Sequence, residues 1–237
     1  MPQIEWVGTP NFRSGRNGRK PLAIVDHITA GYYPGCLSWM QNPQSQGSAH
    51  YLILKDGRIL QMVKDEGTSW HAGIANRPNW SLYDGSNPNY YTIGIEHEGM
   101  PGDGLSEAQY QSTLWLHREL LAKYPAIKTD SDHIIGHYRI DSINRPNCPG
   151  AKFPWAKLFA DLKGEEEVDN LVIYADGDIG AAIVLSQKLG CPMVHKGSAG
   201  KYQAAKKHWL GVQGDNDSGN VYYAGDNRTD TARKALE

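Results

Sequence analysis

The sequence predicts a chain of mixed α/β type: an α/β or α+β layer domain over residues 1–163, then a smaller βαβαβα unit over 170–237. Strand-length apolar runs recur through the first part and surround one well-capped helix pattern. An acidic break, Gly164-Glu165-Glu166-Glu167-Val168-Asp169, reads as a solvated linker over 164–169. Beyond it, strand and helix patterns alternate at short intervals, the signature of a small parallel sheet.

In chain order, the strand-like runs of the first domain are Leu22–Asp26, His50–Leu54, Ile59–Val63, Thr92–His97 and His133–Gly136. Lys55-Asp56-Gly57-Arg58 joins two of them with the Asp-Gly signature of a hairpin. Ser106 opens a helix: Ser-Glu-Ala-Gln is a capping box, and Tyr110, Leu114, His117 and Leu121 keep helical spacing after it. In the second unit, Leu171–Tyr174, Pro192–His195 and Val221–Tyr223 read as strands. Ile179–Leu189 (stopped by Gly190), Ala199–Trp209 and Thr229–Leu236 read as helices.

At 237 residues, with 24 Lys and Arg against 26 Asp and Glu, the chain has a formal net charge of only −2. Near-neutrality gives no electrostatic reason to expect nucleic acid or an anionic membrane as partner. Neither a GxGxxG nor a GxxxxGK[ST] loop is present, which argues against a nucleotide site. Three scattered cysteines, Cys36, Cys148 and Cys191, argue against a disulfide framework and for a reduced compartment at synthesis. Met1 to Lys20 holds no apolar run of signal-peptide length, and no segment approaches a membrane span. The expectation is synthesis in the cytoplasm, so that action on an outside substrate requires a separate release step.

The chemistry concentrates at Gly136-His137 and Asn147-Cys148-Pro149-Gly150, with His27 at the end of an upstream apolar run. Two neutral imidazoles and a thiolate suit zinc, and three protein ligands leave a fourth position free, as in catalytic sites. Glu96 follows Thr-Ile-Gly-Ile, so its carboxylate should sit in mostly apolar surroundings with a raised pKa, which suits a general base. Glu98 is the weaker candidate. Trp70-His71-Ala72-Gly73 sets another imidazole beside an indole, whereas His50, inside a strand, reads as structural.

Val25-Asp26-His27-Ile28-Thr29-Ala30-Gly31, Ser48-Ala49-His50-Tyr51-Leu52-Ile53, Trp70-His71-Ala72-Gly73, Ile93-Gly94-Ile95-Glu96-His97-Glu98-Gly99 and the Gly136-to-Gly150 stretch occur in one order over residues 20 to 160. Together they resemble the type-2 N-acetylmuramoyl-L-alanine amidases, which include peptidoglycan-recognition proteins. The resemblance implies a mixed central sheet flanked by helices, and one Zn2+ held by His27, His137 and Cys148. It also implies Glu96 as the catalytic glutamate, with cleavage between the lactyl group of N-acetylmuramic acid and L-alanine of the peptidoglycan stem. Many relatives carry lysine two residues before the third ligand. Pro146 stands there in this chain, so Arg145 or His71 is expected to steady the oxyanion.

Peptidoglycan contacts are expected from Trp70 and from the aromatic loop bearing Trp80, Tyr83, Tyr90 and Tyr91, the alternative being a loop packed over its own small cluster, with Cys36 and Trp39 on the opposite groove wall. The C-terminal unit is similar to type-two cell-wall-binding repeats, through Val172-Ile173-Tyr174-Ala175-Asp176-Gly177-Asp178 and the apolar helix after it. That likeness implies a grip on a wall polymer and, with the catalytic part, the layout of a phage endolysin released by a holin. Two other readings stand beside it: a cytosolic amidase recycling muropeptides, and a non-catalytic peptidoglycan-recognition protein. Retention of all three ligands speaks against the last.

Overall fold

The computed structural model describes residues 2–163, 167–211 and 219–236. The chain divides into two compact units, Met1–Leu162 and Lys163–Glu237. Among the described residues, no helix is long and apolar enough to cross a membrane.

The first unit is built on a six-stranded sheet. Its strands in chain order are β1 (Ile4–Trp6), β3 (Ala23–Ile28), β4 (Tyr51–Ile53), β5 (Ile59–Gln61), β7 (Thr92–His97) and β8 (Ile134–Gly136), with β2 (Phe12–Arg13) and β6 (Thr68–Ser69) forming a separate pair. The spatial order is β1-β5-β4-β7-β3-β8, and only β4 and β5 run antiparallel. Each apolar run in the sequence becomes a strand within a residue or two. The hairpin forms where Asp-Gly stands, with the Asp56 carboxylate accepting from Arg58 N at 3.0 Å.

Strands β3 and β7 are buried on both faces, as inner strands of a parallel sheet must be. Their odd and even residues therefore meet different layers. Ile24 on β3, with Ile93 and Ile95 on β7, packs with Tyr110, Leu114 and Leu120 of helix α2 (Glu107–Lys123). On the other face Ala23, Val25 and Ile135 join Trp80 and Tyr91 from the loops. Ser106 caps α2 by accepting from Gln109 N at 3.1 Å. Only half of the expected capping box forms, because the Gln109 amide donates to the Ile53 and Glu98 carbonyls. Helices α1 (Gly35–Gln41) and α3 (Trp155–Leu162) complete the layers.

In the second unit four parallel strands, β9 (Glu167–Tyr174), β10 (Met193–His195), β11 (Gln203–Leu210) and β12 (Val221–Tyr223), lie in the order β10-β9-β11-β12. Helices α4 (Ile179–Leu189) and α5 (Arg228–Leu236) stand where the sequence places helices. Ala199–Trp209 does not: it is a short 3-10 turn followed by β11, not a helix. Alanine and lysine favour helix locally, but β11 lies between β9 and β12 and pairs with both, and tertiary pairing overrides a propensity of a few tenths of a kcal/mol per residue. Among the described residues the unit is thus βαβ followed by two strands and a helix rather than βαβαβα. Of the acidic segment 164–169, residues 164–166 lie outside the described residues, and 167–169 open β9.

Candidate active site and metal centre

The site forms at the carboxyl ends of β7, β3 and β8, three adjacent parallel strands, where α/β sheets characteristically bind ligands. His27 and Glu96 are paired in register across β3 and β7, so their side chains leave the same face. His137 follows β8 directly. Gly136 permits that placement, since a Cβ there would come within 2.5 Å of the Tyr138 ring and 2.7 Å of Pro149. Cys148 returns on the loop after Asp141, whose carboxylate accepts from the Ile143 and Asn144 amides at 3.1 and 2.8 Å. Cys148 O accepts from Tyr138 N at 3.2 Å, closing the loop onto the turn that carries His137.

His27, His137 and Cys148 therefore meet, with their candidate ligand atoms all within 4.8 Å of one another. His27 Nδ1 lies 3.0 Å from His137 Nδ1 and 3.9 Å from Cys148 Sγ. The outer nitrogen of each ring has a partner of its own. His137 Nε2–H donates to the Ala72 carbonyl at 2.9 Å, and His27 Nε2 faces His71 Nδ1 at 3.0 Å. The two Nδ1 atoms face each other across 3.0 Å, close enough to share a proton or to ligate one cation together. The separations suit one tetrahedral ion with bonds of about 2.0–2.3 Å to nitrogen and sulfur. Burial is the main cause lowering the pKa of both imidazoles, keeping them neutral as ligands must be. Burial first, then the nearby Glu96 carboxylate, pushes the Cys148 thiol up to about 12, so a metal is what would hold it as thiolate. The donor set fits zinc.

Glu96 lines the same cavity of about 1370 Å³. One of its carboxylate oxygens is shielded from solvent and has no hydrogen-bond partner. Burial raises its pKa to about 8, and the Arg145 charge opposes that rise. A carboxyl poised there can take and return a proton near neutrality. Arg145 also lines the cavity, as do Trp70, Cys36 and Trp39. Glu98 is committed elsewhere: its two oxygens accept from Tyr33 N at 2.9 Å and Lys55 N at 2.7 Å.

A family model described as N-acetylmuramoyl-L-alanine amidase matches residues 17–151. The chain belongs to this amidase family. It is 35% identical over 176 residues to N-acetylmuramoyl-L-alanine amidase A of Achromobacter lyticus, covering 67% of this chain and 91% of that one. It is 40% identical over 114 residues to the 1,6-anhydro-N-acetylmuramyl-L-alanine amidase AmpD of Salmonella typhimurium, covering 48% of this chain. The match spans 56%, about half, of AmpD's length. Among solved structures, a selenomethionyl AmpD derivative superposes with a TM-score of 0.53 at 27% identity, covering 68% of this chain and 94% of that one. AmpDh3 of Pseudomonas aeruginosa, in complex with an anhydromuramic pentapeptide, gives 0.50 at 26%, covering 65% and 62%. The endolysin LysCS of Clostridium intestinale gives 0.50 at 22%, covering 69% and 97%, a likeness of fold alone.

Three aromatic residues expected at the amidase groove are not on its wall. Trp80 and Tyr91 are buried and stacked, with ring centroids 5.6 Å apart, and Tyr83 packs against their cluster, which covers Ala23 and Val25 on the same face as His27. Trp80 Nε1–H donates to the Asp132 carbonyl, so its one polar atom is satisfied inside the fold. The groove wall comes instead from Trp39, Trp70, Tyr32, Ile74 and Ile143, all substantially solvent-exposed. The sequence also gives no hint of Asn89, whose side chain accepts from both His71 N and Ala72 N. Nothing in Asn-Tyr-Tyr marks that asparagine as different from its loop neighbours.

Proposed function

We propose that this amidase cleaves the amide between the lactyl group of N-acetylmuramic acid and L-alanine of the stem peptide in a zinc-dependent reaction. The convergence of His27, His137 and Cys148 beside Glu96 is the observation that carries this reading. Zinc held by those three ligands supplies Lewis acidity, polarising an amide carbonyl and acidifying water. Glu96, whose carboxyl pKa is raised by burial, takes the proton of the attacking water and returns it to the departing amine of L-alanine. Arg145, the cation lining the cavity, sits to steady the oxyanion. The walls bearing Trp39 and Trp70 hold the glycan and stem peptide in register with that centre.

Its substrate is read as the intact wall, with the protein acting as an endolysin after holin-type release. The unit Lys163–Glu237 supports this: it lies outside the matched residues 17–151 and would serve to grip a wall polymer. The likeness to AmpD favours a second reading, the recycling of soluble anhydromuropeptides in the cytoplasm.

One experiment addresses both the bond and its location. The full-length protein is incubated with purified sacculi and, separately, with anhydromuropeptides, and the products are identified by mass spectrometry with and without chelator. Intact stem peptides bearing a free L-alanine amine are expected from sacculi, with the activity lost on chelation and restored by one equivalent of zinc. Chelator-resistant release, or cleavage of any other bond, would defeat the reading. Turnover of soluble muropeptides without clearing of sacculi would assign the recycling role.

A further inference from the structure

The segment His71–Ala72 touches both imidazole ligands. Thr92 Oγ1 donates its one proton to the Pro88 carbonyl at 2.7 Å, so toward His71 it can only accept. His71 Nε2–H therefore donates to Thr92 Oγ1 at 2.9 Å. That leaves a lone pair on His71 Nδ1, which accepts from His27 Nε2–H at 3.0 Å and exposes the lone pair of His27 Nδ1 to the metal position. One residue later the Ala72 carbonyl accepts from His137 Nε2–H at 2.9 Å, with the same consequence for His137 Nδ1.

The backbone of this segment is itself pinned. Asn89 Oδ1 accepts from His71 N at 3.1 Å and Ala72 N at 2.8 Å. The ring of His71 lies against strand β7, where Gly94 stands between the fully buried Ile93 and Ile95. A Cβ on Gly94 would approach His71 Cγ to 2.3 Å, so the glycine is the recess that admits the ring. His71 lines the cavity beside His27, but both of its ring nitrogens are engaged with protein partners.

We propose that His71–Ala72 acts as one orienting strap that sets the tautomer and ring angle of both imidazole ligands. His71 works through its ring and Ala72 through its carbonyl. Asn89, Thr92 and Gly94 hold the strap in place. His71 is then a positioning residue rather than the oxyanion stabiliser that the sequence suggested. Carboxylates, carbonyls and waters commonly fill this orienting role beside metal-binding imidazoles, and their loss typically costs about 10- to 100-fold in metal affinity. Here the partner of His27 is a second imidazole, itself fixed by a hydroxyl.

The inference rests on the zinc reading, and the test separates the two. Zinc affinity of the full-length protein is measured by competition with a chromophoric chelator, and ligand geometry by the absorption spectrum of the cobalt(II)-loaded protein. A wild-type chain that holds no zinc would sink the zinc reading itself. With zinc bound in the wild type, His71→Leu is expected to weaken affinity about 10- to 100-fold and to alter the cobalt spectrum. His71→Gln, whose Oε1 can accept from His27, should recover most of that loss. Thr92→Val keeps the ring but removes its acceptor, and should weaken zinc by about tenfold. Thr92→Val decides the matter should His71→Leu fail to fold. A strap of merely structural value would lower the melting temperature of the zinc-free protein and leave zinc affinity and the cobalt spectrum unchanged. That outcome in folded variants overturns the proposal.

Discussion

Glu96→Gln is expected to retain its zinc and to lose turnover by about 10²- to 10⁴-fold, the usual worth of a positioned general acid and base. The amide is isosteric with the carboxyl, so the cavity keeps its shape while losing the group that accepts a proton. The same substitution should stabilise the zinc-free protein at alkaline pH. Burial raises the Glu96 carboxyl from its ordinary value to about 8 in the folded chain. Below the ordinary glutamate range both folded and unfolded chains are protonated, and Glu96 contributes no difference. As pH rises toward 8 the unfolded chain releases its proton first, so stability is lost across that interval. Each tenfold change in proton affinity corresponds to about 1.4 kcal/mol, and partial solvent access to the side chain reduces the sum. Chemical denaturation at pH 8 is expected to show Glu96→Gln more stable than the wild type by about 1–3 kcal/mol. A variant that turns over normally, or that gains no stability at alkaline pH, would remove Glu96 from the proposed role.

Asp26→Asn is expected to destabilise the zinc-free protein by about 3–5 kcal/mol, the cost of breaking a buried ion pair from one side. Asp26, next to His27 on β3, points to the opposite face of the sheet and is fully buried with His117 of α2. His117 Nδ1–H donates to the Thr113 carbonyl at 2.8 Å, and Nε2–H donates to Asp26 Oδ2 at 3.2 Å. With both nitrogens donating, the ring is an imidazolium. Burial alone would lower its pKa, but the Asp26 charge and these hydrogen bonds outweigh burial and raise it. A raised histidine pKa contributes stability that is fully present below the unfolded value of about 6.5 and is lost as pH rises through the folded value. Denaturation midpoints of wild type and His117→Gln should therefore differ most between about pH 5 and 6.5 and converge at alkaline pH. A difference that grows with pH would mean that the ring is neutral.

Much of the first unit is legible because its parallel inner strands must be apolar on both faces, so Ala23–Ile28 and Thr92–His97 stand out against polar loops. Residues at the ends of those runs, His27 and Glu96, then fall together by register alone. Loop aromatics carry no such rule. Trp80 and Tyr91 have polar neighbours in sequence whether they face a sugar or pack inside the fold against Ala23 and Val25, and only the fold shows the latter. Gln203–Leu210 fails for a different reason, since its helix-favouring alanines and lysines are captured by two neighbouring strands. His71 is visible in the sequence as an imidazole near the chemistry. Its partner is not, because the Thr92 hydroxyl that fixes its tautomer lies twenty-one residues away along the chain.

X-ray absorption at the zinc edge of the purified full-length protein tests the metal centre most directly. One zinc per chain is predicted, with a single sulfur at about 2.3 Å and two imidazole nitrogens at about 2.0–2.1 Å. A shell without sulfur, or a chain that holds no zinc, would contradict the joining of His27, His137 and Cys148 in one site.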